Sequence, residues 1–349
     1  MKKATYKKLS PVALAASLLC LAGAASAGEP IDFGDGLKLD WRIGTTYTLS
    51  SRVKSPDPLL AGASGSNDGD NNFKRGALTA NRLGALVDTK LSKGSSGFVL
   101  SGSVFYDDVY HHSNDNNPAA SNPNKVNHPP PFNEFTDEAK RYHGGYARAL
   151  DAYGYTSFEA GNAGRMTVRA GRHVVSWGEA LFLPGISLAQ GPADGTKTGI
   201  PGTETKDQLL PEDQISATLE ISPRWSLLSH VQYNWHPTLA PAPGSFLNTS
   251  DGVGPGGSCL GPNTRVPAIP GLFNGFSGCS FGNRGADITP SKTGQWGLGT
   301  RYRVTDTTEL GLYYLNYHDR TPLPEINAFT PGTGIPVALR PALDRKSVV

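Results

Sequence analysis

The chain has 349 residues, 18% of them charged, with a formal net charge of +2. Gly (42) and Pro (27) make up about a fifth of it, which favours turns and extended structure over helices. Near-neutral charge gives no support to a nucleic-acid binder, and no apolar run after the N-terminus is long enough for a transmembrane helix.

The N-terminus reads as a secretory leader. Lys2, Lys3, Lys7 and Lys8 form a positive head, residues 12–23 an apolar core, and Ala25-Ser26-Ala27 a small-residue cleavage site. Residues 1–27 are therefore expected to be a signal peptide for Sec-type export, and residues 28–349 one domain.

Strands follow. From Leu37 to Leu49, apolar Leu37, Leu39, Trp41, Ile43, Tyr47 and Leu49 alternate with Lys38, Asp40, Arg42 and other polar or small residues. Period two over thirteen residues gives a strand with one apolar and one polar face. Similar alternation marks 215–221, 225–235 and 296–304, with weaker versions over 77–91, 97–110, 147–160, 165–175 and 308–318. These nine strands run to about ten residues, the length a tilted strand needs to cross a bilayer.

The connections alternate too. Long segments near 51–76, 112–146, 176–212 and 236–293 are interleaved with short turns at 93–96, 161–164, 222–224 and 305–307. Short periplasmic turns and long extracellular loops are the pattern of outer-membrane barrels. Trp225 and Trp235 are ten residues apart, projecting to about 25 Å on a tilted strand, and are expected to mark the two interfacial aromatic girdles. The expected fold is all-β: an antiparallel, porin-like transmembrane β-barrel. Nine strands cannot close with both ends on one side, so the barrel is expected to be incomplete, part of a longer protein.

If the apolar faces look outward, the charges look inward. Arg42, Arg165, Arg169, Arg301 and Arg303, with Lys38, Asp40, Glu159 and Glu220, then line the lumen. The excess of bases suggests anion preference, and cross-lumen pairing explains the charges equally well. The segment 174–184 is too apolar for an exposed loop. Trp177, Phe182 and the polar Glu179 are expected to fold into the lumen as a constriction.

Other constellations are weaker. Cys259 and Cys279, in a Gly/Pro-rich stretch of an exported chain, are expected to form a disulfide. His111 and His112 with Asp107, Asp108 and Asp115 could hold a metal, though the pair sits where a strand runs into a polar loop. Asp68-Gly69-Asp70-Asn71-Asn72 alternates oxygen ligands but lacks the glycine and distal glutamate of a calcium loop. Nucleophile-elbow, Walker and zinc-hydrolase motifs are absent, so no enzyme activity and no cofactor are expected.

The stretch Arg169-Ala170-Gly171-Arg172-His173-Val174-Val175-Ser176-Trp177-Gly178-Glu179 resembles the signature of the proteobacterial family called domain of unknown function 1302. So do Leu210-Pro211-Glu212-Asp213-Gln214-Ile215, Tyr233-Asn234-Trp235-His236-Pro237, Pro243-Gly244-Ser245-Phe246 and Ser250-Asp251-Gly252. The likeness runs from about Leu37 to about Arg340. It implies an outer-membrane barrel, typically longer than this chain, encoded near genes for hydrophobic-substrate catabolism and membrane transport. No catalytic residue comes with it. The expected function is an outer-membrane channel for small compounds, hydrophobic ones among them. Its partners would be outer-membrane lipid, the barrel-assembly machinery and a small solute. The alternatives are a structural or adhesive surface barrel acting through its loops and, third, an outer-membrane hydrolase.

Overall fold

The computed structural model describes residues 24–63, 65–116, 131–177, 191–260, 263–266, 276–279 and 282–323; the side chains of 24–26 and 259–283 lie outside that description. The strands are β1 (Ala24–Ala27), β2 (Ile31–Asp32), β3 (Leu37–Ser51), β4 (Leu78–Lys93), β5 (Ser96–Asp107), β6 (Gly145–Glu159), β7 (Arg165–His173), β8 (Glu212–Ser222) and β9 (Trp225–Gln232). They continue with β10 (Cys259–Leu260), β11 (Asn263–Val266), β12 (Phe276–Cys279), β13 (Gly282–Asn283), β14 (Gln295–Arg303) and β15 (Glu309–Asn316).

One antiparallel sheet runs β1-β3-β4-β5-β6-β7-β8-β9-β14-β15, with β2 also paired to β3. All nine strands expected from period two are present, as β3 to β9, β14 and β15. From β3 onward each pairs with the next, apart from the short ribbons β10–β13 and β11–β12 that intervene before β14. Among the described residues the sheet is not closed. The outer edge of β3 carries β1 and β2, and β15 has no second neighbour among the described residues.

Because the meander is antiparallel, the short turns gather at one end and the long segments at the other. Between β4 and β5 only Gly94 and Ser95 intervene, and Gly94 takes φ +58°, a conformation that suits glycine.

The two faces of the sheet are inverted relative to a soluble protein. On β4 and β5, Leu83, Val87, Leu91, Phe98, Leu100, Val104 and Tyr106 are exposed on the convex side. The alternate positions Arg82, Ser101, Ser103 and Asp107 are buried on the concave side, with Leu86 and Phe105. Toward the other edge, Val231, Leu298, Leu310, Leu312 and Tyr314 are exposed, while Gln214, His230, Gln232 and Gln295 are buried. Alternation alone fixes this, since a one-residue slip would exchange the faces.

Trp225 stands on the convex side at the short-turn end, and its indole N–H donates to Thr300 Oγ1 at 2.9 Å. Trp235 departs from expectation. β9 ends at Gln232, and the chain then turns inward, where the His236 N–H donates to Glu212 Oε1 at 3.0 Å. Trp235 is thereby buried, with its indole N–H toward the His318 carbonyl, and marks no rim. Tyr106, Tyr233, Trp296 and Tyr314 supply the exposed rings at the long-segment end instead.

The long segments correspond to the extracellular loops that the sequence suggests. They pack into a folded layer. Phe73 meets Phe135 at 5.7 Å, Phe246 at 5.4 Å and Tyr110 at 6.2 Å. These rings come from three different segments, so apolar burial ties them together. Backbone groups are satisfied across segments: Asn72 Nδ2 donates to the Gly244 carbonyl at 2.8 Å, and the Ala242 N–H donates to His143 Nε2 at 3.0 Å. The Asn67 N–H donates to the buried Asp251 carboxylate at 2.9 Å.

Burial pushes the Asp251 carboxyl up to about 6, against the two backbone N–H groups that lower it. A group raised in the folded state stabilises most when protonated, and that contribution fades as pH rises through the folded value. Relative to Asp251→Asn, the wild-type loop layer should therefore lose protection between about pH 4 and 6 and level off above it. Hydrogen exchange across 65–77 and 240–254 checks this, and the comparison cancels the opposite trend of His143, which burial lowers to about 4.

Candidate functional site

The segment between β7 and β8 does not stay in the loop layer. Residues 191–210 run inward and pack against the concave face of β3, β4, β5 and β6. What draws them in is charge. The sheet presents Arg42, Asp88, Arg148 and Asp151, which in an apolar setting need partners.

Asp194 is fully buried and accepts hydrogen bonds from Tyr146 Oη (2.5 Å), Arg148 Nη1 (2.7 Å) and Thr196 Oγ1 (2.5 Å). Burial alone pushes its carboxyl up, but Arg148 and these donors hold it below the usual carboxylate range. Lys197 is equally buried and pairs with Asp207, whose carboxylate also accepts from Ser103 Oγ at 2.5 Å. Burial lowers the Lys197 ammonium even against that partner. Lys206 bridges Asp88 at 2.5 Å and Asp151 at 2.9 Å. Arg42 pairs with Glu204 and reaches Asp88 at 3.3 Å. Thr48 Oγ1 donates to the Pro201 carbonyl at 2.8 Å.

Gly202 allows the close approach. Its φ is +81°, and a Cβ there would fall 2.6 Å from the Thr46 methyl. Between this segment and the wall remains a narrow, part-open cleft lined by Thr46, Thr48, Arg82, Leu86, Phe105 and Ile200 among others.

A second, apolar cluster sits toward β9 and β15. Trp177 is buried on Val175, Leu228 and Leu315, stacks on Tyr313 at 5.9 Å and meets His230 edge-on at 4.8 Å. A third interior group is polar: Arg320 donates to Glu212 at 2.7 Å, Gln232 at 2.6 Å and the His236 carbonyl at 2.9 Å, anchoring the chain beyond β15.

Of the residues singled out from sequence, only Arg42 belongs to the charged cleft wall. Trp177 lies in the concave interior, apart from it. Arg301 Nε donates to Tyr313 Oη at 2.9 Å, and Arg169 lies 5.9 Å from the Tyr153 ring. Arg165 and Arg303 are exposed near the short-turn end. These arginines are not gathered around one point. Glu179 and Phe182 lie outside the described residues, as do the side chains of Cys259 and Cys279. The backbones of those cysteines fall in different ribbons, β10 and β12.

The metal candidates are dispersed. His111 Nε2 lies 3.1 Å from the Gly144 carbonyl, His112 pairs with Asp108, Asp115 with Lys74, and Asp107 caps the Asn81 and Val109 N–H groups. Asp68–Asn71 is a short helical turn, with Asp70 engaged by Arg52 at 2.6 Å. No cluster of three or more His, Cys, Asp or Glu suited to a metal occurs among the described residues.

Sequence reasoning missed Arg82, Arg148, Asp194, Lys197, Lys206 and Asp207. One signal was available: Glu204-Thr205-Lys206-Asp207 concentrates charge in a segment taken as exposed. Replacing Asp194 by Asn should strand Arg148 and loosen the inward segment by about 3 kcal/mol. Limited proteolysis within 191–210 reads this, with β3 to β6 expected to stay protected.

A family model described as a protein of unknown function, DUF1302, matches residues 8–343. No curated protein and no solved structure gives a match. With nearly its whole length matched, the chain belongs to the DUF1302 family of proteins of unknown function.

Proposed function

We propose that this chain forms the wall and inner constriction of an outer-membrane β-barrel channel for small solutes. One observation carries the reading: the convex face of the sheet exposes large apolar side chains, while charged and amide side chains are buried on the concave face. In water this arrangement wastes apolar burial and desolvates charge. In a bilayer it is the arrangement of lowest cost.

Other features support it. Exposed rings gather near both ends of the strands, Phe98, Phe158, Trp225 and Tyr302 at one and Tyr106, Tyr233, Trp296 and Tyr314 at the other, as interfacial belts do. The positive head and apolar core that precede β1 fit an export leader, the folded loop layer the outer surface, and the short turns the periplasmic side. The inward segment narrows the interior with alternating charge, and the Trp177 cluster offers an apolar contact toward β9 and β15. Small solutes with both polar and apolar parts suit such a passage. Any disulfide between Cys259 and Cys279 would staple the outer surface.

Reconstitution in planar bilayers tests the proposal. The folded chain should give discrete conductance steps, and Trp177→Ala should alter solute flux without unfolding the sheet. Val87→Arg and Leu100→Arg, both on the convex face, should each cost about 2–4 kcal/mol in lipid. Gel migration before and after boiling, with urea titration in bilayers, reads that cost. A chain that is extracted from membranes without detergent, with Val87→Arg neutral, would sink the reading.

A further inference from the structure

Among the charged side chains of the concave face, Arg82 stands apart. It projects from β4 into the cleft beneath the inward segment and is only 6% exposed. Its Nη1 is buried and has no hydrogen-bond partner among the described residues. The guanidinium lies over the Phe105 ring, 3.5 Å from its centroid, which positions the cation without satisfying its donors.

Acids are close enough to act on it, namely Asp107, Asp194 and Asp207. Each is committed elsewhere. Asp107 accepts the Asn81 and Val109 N–H groups, Asp194 takes Tyr146 and Arg148, and Asp207 takes Lys197 and Ser103. A buried arginine donor left unpaired costs stability, so a fold that keeps one places it where something else will accept.

The surroundings say what that is. Thr46 and Thr48 line one side of the cleft, and Leu86, Phe105, Ile200 and Pro201 supply apolar surface. The open donor calls for an anionic acceptor, and guanidinium matches carboxylate in a charge-assisted, forked bond. Because Asp207 and Glu204 also border the cleft, a multiply charged anion would be repelled. We infer that the cleft holds a small organic monocarboxylate, its carboxylate on Arg82 and its apolar body against Leu86 and Ile200. This inference rests on the channel reading, since it makes the cleft a solute-binding step on the passage through the lumen.

Calorimetry on the folded, detergent-solubilised chain with benzoate as the probe tests it. Methyl benzoate and inorganic phosphate serve as the uncharged and inorganic comparisons. Benzoate should bind and methyl benzoate should not. Arg82→Met should lower benzoate affinity at least about tenfold. It should still fold, because the substitution removes an unpaired buried cation. Arg82→Lys keeps the charge without the fork, should fold as wild type does, and should bind at intermediate strength. Arg165→Gln, far from the cleft, should change nothing.

Benzoate binding unaffected by Arg82→Met overturns the inference. So does absence of binding to the folded wild type, or displacement of benzoate by equimolar phosphate. Bilayer recordings separate this from the channel reading. Conductance without an Arg82-dependent response to benzoate leaves the channel standing and defeats the cleft assignment. Arg82-dependent binding by a chain that conducts nothing supports the site and defeats the channel.

Discussion

The strict alternation of side chains along paired strands is the constraint on which the rest of this molecule depends. Once β4 and β5 pair in their register, Leu83, Val87, Phe98 and Leu100 must share one face, and Arg82, Ser101, Ser103 and Phe105 the other. The sheet thereby turns apolar surface outward and commits charge to its concave side. Every later feature answers one of those two consequences. The convex face needs an apolar surrounding, and the concave face needs partners for Arg42, Asp88, Arg148 and Asp151.

The inward segment 191–210 supplies those partners, and it does so at several points rather than one. Glu204 engages β3, Lys206 β4 and β6, Asp207 β5, and Asp194 β6. Buried ion pairs of this kind add little net stability, since desolvation offsets most of the attraction. Their value is positional. Shifting the segment by one residue would leave several charges unpaired at once, so the network fixes a single placement of the segment against the wall.

Much of the fold was legible in the sequence, because period two is a local signal. Thirteen alternating residues from Leu37 announce β3, and the short turn at Lys93–Ser96 announces its neighbours' direction. The exposed rings near the strand ends were legible only in kind. Trp235 has the spacing of a girdle residue, but Glu212, more than twenty positions away, draws the backbone of His236 inward and takes Trp235 with it. The charged site was the least legible part. Arg42 and Glu204 are paired across 162 positions, and Lys206 and Asp88 across 118. No periodicity records such pairings, so charges on a long segment look the same whether they meet water or a sheet. Arg82 left no trace for a similar reason. An arginine on a polar face is ordinary until its partners can be counted.

These separations in sequence also impose an order on assembly. The wall strands β3 to β7 precede the inward segment in the chain, and the groups it pairs with lie on the first four of them. Docking must therefore be a late event that waits for long-range strand pairing, which is slow. Until then Asp88, Asp151 and Arg148 have only solvent to satisfy them. The nascent charged face must therefore remain wet until the segment seats and displaces that water. A chain arrested before this step would be a sheet with its strands formed and its charged face still open to solvent.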